Sequence, residues 1–356
     1  MRSRLRFWKY PLTIILLLLV AAAFTLVYAL SDTAAAPYQR TDPPENIVVK
    51  TPEPEDIPDE PVDESIDELE DEPEDEPEEE PEEEPEPVFV EEGFITVEME
   101  EQEIHQGYLL LVNHDHEFSI PDDLDLVRIV DATTTQFRVQ PESSRLLRSV
   151  VEPLDEMMAS FRAATNNRSV AIISAHRNYD TQRSILNRYI SQMGRREALR
   201  WAALPGHSEH HTGLAFDFGI IVGGTRSTFT GTGNTIWFRR NSYRYGFILR
   251  YQQSKTRITQ TADEPWHFRY VGLPHSALIH QKNWCLEEFI ENIREYTYEE
   301  PMEFEHDGVL YGVYFAEGTS IRIPLNTEFD ISGNNIDGFI VTIIWLETDH
   351  DNSIEV

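Results

Sequence analysis

Apolar residues dominate the chain from Leu12 to Leu30. This run of about 19 residues is long enough to cross a bilayer as a helix, and it exceeds the roughly 7–15-residue core of a signal peptide. Hydrophobic patterning then disappears and returns near Phe94, where "FITVEME" and "GYLLLVN" read as short strands. From Ser144 to Ala164 the period changes to helical, with Leu147, Val150, Val151, Leu154, Met158 and Phe161 on one face. Pro153 marks a kink or a late start of that helix. "SVAIISA" predicts a buried strand from Ser169 to Ala175, and Asp180 is a candidate N-cap for a helix carrying Gln182, Ile185, Leu186 and Tyr189. A further strand is expected over about 212–221, then a surface loop at "GGTRSTFTGTGN", a strand at "DEPWHFRYVG" and a helix at "NWCLEEFIENI". After Glu300, "GVLYGVYFAEG" and "FDISGNNIDGFIVTIIWLE" are apolar strands separated by Asn/Gly turns. The fold class expected is α+β: a mainly antiparallel sheet with flanking helices, plus a small C-terminal β module.

Charge sharpens the organisation. The 356 residues carry a formal charge of −35, but 24 acids and no base lie between Glu53 and Glu92. Such a Glu/Asp/Pro tract cannot bury a core and is expected to be extended and disordered. Arg2, Arg4, Arg6 and Lys9 precede the apolar run and predict a cytoplasmic N-terminus, with everything after Leu30 outside. The chain therefore divides into a basic segment (1–11), a transmembrane anchor (12–30), an acidic stalk (31–92), a main folded domain (93–300) and a β module of unreadable role (301–356). The small residues of "DTAAAP" leave signal-peptide cleavage as the alternative to an anchor. No basic domain face stands out, so no nucleic-acid partner is expected. The single cysteine, Cys285, excludes an intramolecular disulfide and reads as a packed core residue.

The chemistry concentrates in "PGHSEHHTGLAFDFG", which holds His207, His210, His211 and Asp217, and in "EPWH", which holds Glu264 and His267. Two histidines and a carboxylate are a standard zinc-ligand set with one position left open. His210, Asp217 and His267 can supply it. On a strand beginning near Thr212, Asp217 shares a face with Gly213, Ala215 and Gly219, whose small size leaves room for a ligand. Pro265 biases Glu264 toward an extended backbone, from which its carboxylate can act as general base. On "EPWH" alone, an ordinary strand-entry pair explains Glu264 and His267 as well.

Together these segments resemble the VanY-type D-alanyl-D-alanine carboxypeptidases, zinc peptidases of bacterial peptidoglycan. "SEHHTGLAFD" fits Ser-x-His-x-x-Gly-x-x-x-Asp, "EPWH" fits Glu-x-x-His, and "SAHRNYDTQ" lies upstream in the matching order. The likeness covers about 107–299. It implies Zn2+ held by His210, Asp217 and His267, with Glu264 as catalytic base and Arg177 engaging the substrate carbonyl or terminal carboxylate. It also implies substrate-side roles for Ser208, Gln182, His176, His211 and Trp266, although for Trp266 a plain core role is favoured. His207 and His211 stand where the family more often has tyrosine and glutamine, and His176 where it often has tyrosine. The activity implied is removal of terminal D-alanine from peptidoglycan stem peptides, by a protein of the bacterial cell membrane with its catalytic domain outside. The alternatives are an L,D-carboxypeptidase, an endopeptidase of the same fold, or a non-catalytic wall-binding or sensing protein.

Overall fold

The computed structural model describes residues 89–91 and 93–345. The expected anchor and nearly all of the stalk lie outside the described residues. Among those described, no helix is long and apolar enough to cross a membrane.

The chain opens with β1 (Phe89–Glu91) and β2 (Phe94–Glu98). A small ladder of β3 (Leu126–Arg128) and β5 (Arg145–Leu147) brackets the two-residue β4 (Arg138–Val139). Helix α1 (Arg148–Thr165) follows and buries Val150, Val151, Leu154, Met157, Met158 and Phe161. It starts at Arg148, so Pro153 sits inside it, in the second turn.

Next come β6 (Val170–Ser174), α2 (Tyr179–Met193), β7 (Ala215–Val222), β8 (Thr225–Thr228), β9 (Phe247–Leu249) and β10 (His267–Tyr270). They build the central sheet in the order β4-β6-β7-β10-β9, with β8 paired to β7. Only β4 and β6 run parallel. The sheet with its covering helices gives the expected α+β class.

Alternation along β7 sorts its side chains by face. Phe216 and Phe218 enter the core under α1 with Phe161, Phe229, Phe238, Phe247 and Phe268. Phe218 lies 4.4 Å from Phe238 and 5.2 Å from Phe268, centroid to centroid, the second pair edge to face. Asp217 and Gly219 point the other way. Register carries this face across the sheet: Asp217 is opposite His267 on one side and Ser174 on the other.

Several expectations shift. The helix expected from Asp180 begins earlier, because Asn178 accepts the Thr181 N–H and is the N-cap; Asp180 lies in the first turn. "GYLLLVN" buries Leu109, Leu110, Leu111 and Val112 but forms no strand. Its Tyr108 and Leu109 N–H groups donate to Ser332 Oγ, and Leu111 N–H donates to the Asn334 carbonyl. Those side-chain and loop acceptors satisfy the backbone without a ladder. The expected surface loop after β7 turns back as β8 and forms a hairpin with it.

The C-terminal part continues from α3 (His275–Lys282) and α4 (Leu286–Ile293) into β11 (Met302–His306), β12 (Val309–Glu317), β13 (Ser320–Pro324), β14 (Thr327–Gly333) and β15 (Gly338–Trp345). These strands make contacts that reach back before residue 300. Strand β2 pairs with β13, so Phe94–Glu98 is hydrogen-bonded to the C-terminal strands. Met302, Phe304, Val313 and Ile340 in turn share one core with α3 and α4. Cys285 is free and buried, at the start of α4.

Candidate active site

His210, Asp217 and His267 converge, with one ligand atom from each within 4.8 Å of the others, and all three are buried. Each arrives on a different kind of backbone. His210 sits in a short 3-10 turn (Glu209–Thr212) that Gly213 ends in the left-handed conformation. Asp217 is the third residue of β7, and His267 is the first of β10, directly opposite it.

Hydrogen bonds fix how the rings face the centre. His210 Nδ1 donates to the Ala175 carbonyl at 2.7 Å, leaving Nε2 turned toward Asp217 Oδ2 at 3.4 Å. His267 Nδ1 lies 3.0 Å from Asp217 Oδ1, and its Nε2 lies 3.2 Å from Glu209 Oε2. Burial, aided by the Arg177 charge, lowers the His210 pKa to about 4, so the ring is neutral, as a ligand must be. For His267 burial works the same way, but its bonds to Asp217 and Glu209 outweigh it and raise the value to about 9, so a metal would displace one ring proton on binding. His210, Arg177 and His267 outweigh burial at Asp217 and hold its carboxyl well below the usual range. Two imidazoles with anchored far nitrogens and one ionised carboxylate fit the donor set of a catalytic zinc.

Glu264 closes the constellation. Its Oε2 lies 3.8 Å from His267 Nδ1, and its backbone N–H donates to the Tyr251 carbonyl. Burial is the main reason its pKa rises to about 8. Arg177 reaches the same centre: Nη2 donates to Asp217 Oδ2 at 2.7 Å, Nε to Ser174 Oγ at 2.9 Å and Nη1 to Gln182 Oε1 at 3.2 Å. A register shift in β6 between Ile172 and Ser174 places Ser174 opposite Asp217, where its hydroxyl meets the guanidinium.

The substrate-side candidates separate. The Ser208 hydroxyl makes no hydrogen bond among the described residues and caps nothing, so it is free to meet a ligand. Gln182 is buried and uses both ends internally, its Nε2 donating to the Ala203 carbonyl, so its place is behind Arg177. His211 is fully buried, with Nδ1 donating to the Arg177 carbonyl and Nε2 accepting the Gly206 N–H. Both nitrogens are occupied by backbone, and His211 is scaffold rather than a substrate contact. His207 Nδ1 is likewise bound to the Asn113 carbonyl. His176 is half-buried, its Nε2 has no partner, and burial lowers its pKa to about 4. Trp266 is half-buried, packs against the core under α1 and stacks on Trp201 at 6.5 Å.

Two expectations about space fail. Gly213 precedes β7 and serves its left-handed turn, with φ +72°. At Gly219 a Cβ would fall 2.6 Å from Ile173 Cγ2, so the glycine accommodates a neighbour rather than a ligand. Sequence reasoning also missed Glu209, Arg250, Arg269 and Tyr251. Tyr251 stacks against His267 with centroids 4.9 Å apart. Glu209 stands inside the quoted motif, and only its position beside His210 could have drawn notice.

Comparison with known proteins agrees with this geometry. Residues 143–273 match the family model described as VanY, D-alanyl-D-alanine carboxypeptidase. A D-alanyl-D-alanine carboxypeptidase of Enterococcus faecium is 34% identical over 260 residues, which cover 71% of this chain and 80% of that protein. A bifunctional D-Ala-D-Ala dipeptidase and carboxypeptidase, VanXYC of Enterococcus gallinarum, is 36% identical over 36% of this chain and 70% of its own. Among solved structures, the vancomycin-resistance D,D-dipeptidase VanXYg, bound to a D-Ala-D-Ala phosphinate analogue, aligns with a TM-score of 0.63. That alignment has 34% identity over 70% of this chain and 99% of the other. With His210, Asp217 and His267 brought together beside Glu264 and Arg177, this chain belongs to the VanY-type D-alanyl-D-alanine carboxypeptidase family.

Proposed function

We propose that this protein is a zinc-dependent D,D-carboxypeptidase that removes the terminal D-alanine from peptidoglycan stem peptides. The observation that carries this reading is the convergence of His210, Asp217 and His267 beside the buried carboxyl of Glu264.

Zinc held by His210, Asp217 and His267 would supply Lewis acidity, polarising the scissile carbonyl and acidifying water. Glu264 does the proton work. Its pKa, lifted to about 8 by burial, lies near neutrality, where a base can both take a proton from water and return it to the leaving amine. Arg177 presents a guanidinium braced from three sides, a shape suited to a carboxylate or a carbonyl oxygen. Ser208, whose hydroxyl makes no cap hydrogen bond, is read as a partner for the same terminal carboxylate. Gln182 and His211 keep Arg177 and the metal turn in position.

The names of two relatives favour a second substrate, the free D-Ala-D-Ala dipeptide. Peptidoglycan lies outside the cytoplasm, so the catalytic part works there. Anchoring by 12–30, with 31–92 as a spacer, is supported by the apolar run and its basic flank. Fractionation of cells expressing the full chain tests it: recovery in the membrane pellet supports the anchor, and release into the medium refutes it. Incubation of the zinc-loaded chain with a stem pentapeptide and with the free dipeptide tests the chemistry. D-alanine from the pentapeptide is expected, and none from either substrate would refute the activity.

A further inference from the structure

Glu209 has no assigned role, yet it is the centre of a buried charge cluster. Its Oε1 accepts from Arg250 Nε at 2.7 Å and from Arg269 Nη1 at 2.9 Å, and its Oε2 meets His267 Nε2 at 3.2 Å. The side chains of Glu209, Arg250 and Arg269 have no exposed surface. Arg250 continues through a two-pronged pair with Glu287, at 2.8 and 2.7 Å. Arg269 Nη2 donates to the carbonyls of Tyr108 and Leu110, at 3.1 and 2.8 Å. Two carboxylates and two guanidiniums balance, so the cluster is neutral. Ala215 lies opposite Arg269 in the register.

Burying four charges is costly, and well-packed apolar residues often give equal or greater stability. Fixing a geometry is a better reason for such a cluster. Here the geometry is that of His267, the candidate ligand that the cluster's carboxylate meets directly. Because both guanidiniums bind Oε1, Oε2 is left to the imidazole. A carboxylate accepts and cannot donate, so Nε2 carries a proton toward Glu209, and Nδ1, on the Asp217 side, is the nitrogen left to bind a metal once it gives up any proton shared with Asp217.

We propose that Glu209 is a positioning residue of the metal centre: clamped by Arg250 and Arg269, it accepts the Nε2–H of His267 and aims Nδ1 at the metal. The inference rests on His210, Asp217 and His267 being the ligands. The substrate does not enter it, so zinc binding tests it separately from D-alanine release.

The test uses the full chain with Glu209→Gln, Glu209→Ala and Glu287→Gln. Glu287 belongs to the cluster but does not touch His267, so its substitution controls for a merely structural role. Zinc affinity is measured by chelator competition, and geometry by the visible spectrum of the cobalt-loaded protein. Zinc Kd is expected to weaken in the order wild type, Gln, Ala, by about 10–100-fold at the extreme. The Gln amide oxygen can still accept the Nε2–H, whereas Ala offers nothing. The cobalt spectrum should change in both Glu209 variants and stay unchanged in Glu287→Gln. Zinc affinities within twofold of wild type in both Glu209 variants would overturn the proposal, as would the same spectral change in Glu287→Gln. If the Glu209 variants do not fold, two-bond proton–nitrogen correlation on the zinc-loaded wild-type chain decides. A slowly exchanging, downfield Nε2–H on His267 is expected, and an Nε2 without a proton would overturn the proposal.

Discussion

The two faces of β7 are built by opposite rules. On one, Phe216 and Phe218 join an aromatic core in which any side chain of similar shape could serve. On the other, Asp217 sits among Ser174, Arg177, His210 and His267, and every contact depends on a particular donor or acceptor. The same contrast separates two buried histidines. His267, bonded to carboxylates, has a pKa raised to about 9, whereas His275 faces Thr342 Oγ1 at 2.7 Å and burial lowers its value to about 4. Burial alone therefore does not make a site. Convergent charge on a face that the strand period keeps apart from the core does.

Substitutions on the two faces should divide along this line, beginning with the largest effect. Glu264→Ala is expected to lower kcat by about 10²–10⁴-fold, the usual contribution of a positioned base, while zinc content stays at wild type. His210→Ala should lose zinc and turnover together, and equal zinc in that variant and wild type would break the ligand assignment. Phe218→Ala should cost about 3–5 kcal/mol in denaturant unfolding, with zinc affinity of the folded fraction unchanged. A loss of zinc affinity there would show that the faces are not independent.

A titration sharpens the histidine contrast. The folded pKa of His275 lies near 4, below the 6.5 of an ordinary histidine, so the unfolded chain binds the proton first. Stability should fall as pH drops from about 6.5 to 4, by on the order of 3 kcal/mol from this residue. In His275→Gln, which keeps a partner for Thr342 but cannot titrate, the slope of stability against pH should be shallower. An unchanged slope would assign the acid sensitivity to other groups. Smallest, Gly219→Ala forces a Cβ against Ile173 and should cost about 1–3 kcal/mol, read as a lower Tm.

Much of this was legible in the sequence. Alternation put Asp217 on a face with Ala215 and Gly219, and motif order singled out His210, Asp217, His267 and Glu264, which the fold brings together. The rest depended on pairings that no local pattern records. Strand β2 joins β13 across more than two hundred residues of chain, so the C-terminal module was expected without its N-terminal strand. Leu109 to Val112 are as apolar as a strand, but Leu109 and Leu111 donate their N–H groups to Ser332 and Asn334, which periodicity cannot foresee. Asn178 and Asp180 are both good caps, and only the bond from Thr181 N–H decides between them. Glu209 was passed over because its partners Arg250, Arg269 and Glu287 come from distant segments that each look like ordinary surface charge.

The most direct test of the central claim compares stem peptides on the zinc-loaded full chain, with Glu264→Ala as control and released D-alanine followed by mass spectrometry. The account predicts release from the pentapeptide, none from the tetrapeptide, and none from either with Glu264→Ala. Release from the tetrapeptide alone, or wild-type rates in Glu264→Ala, would contradict it.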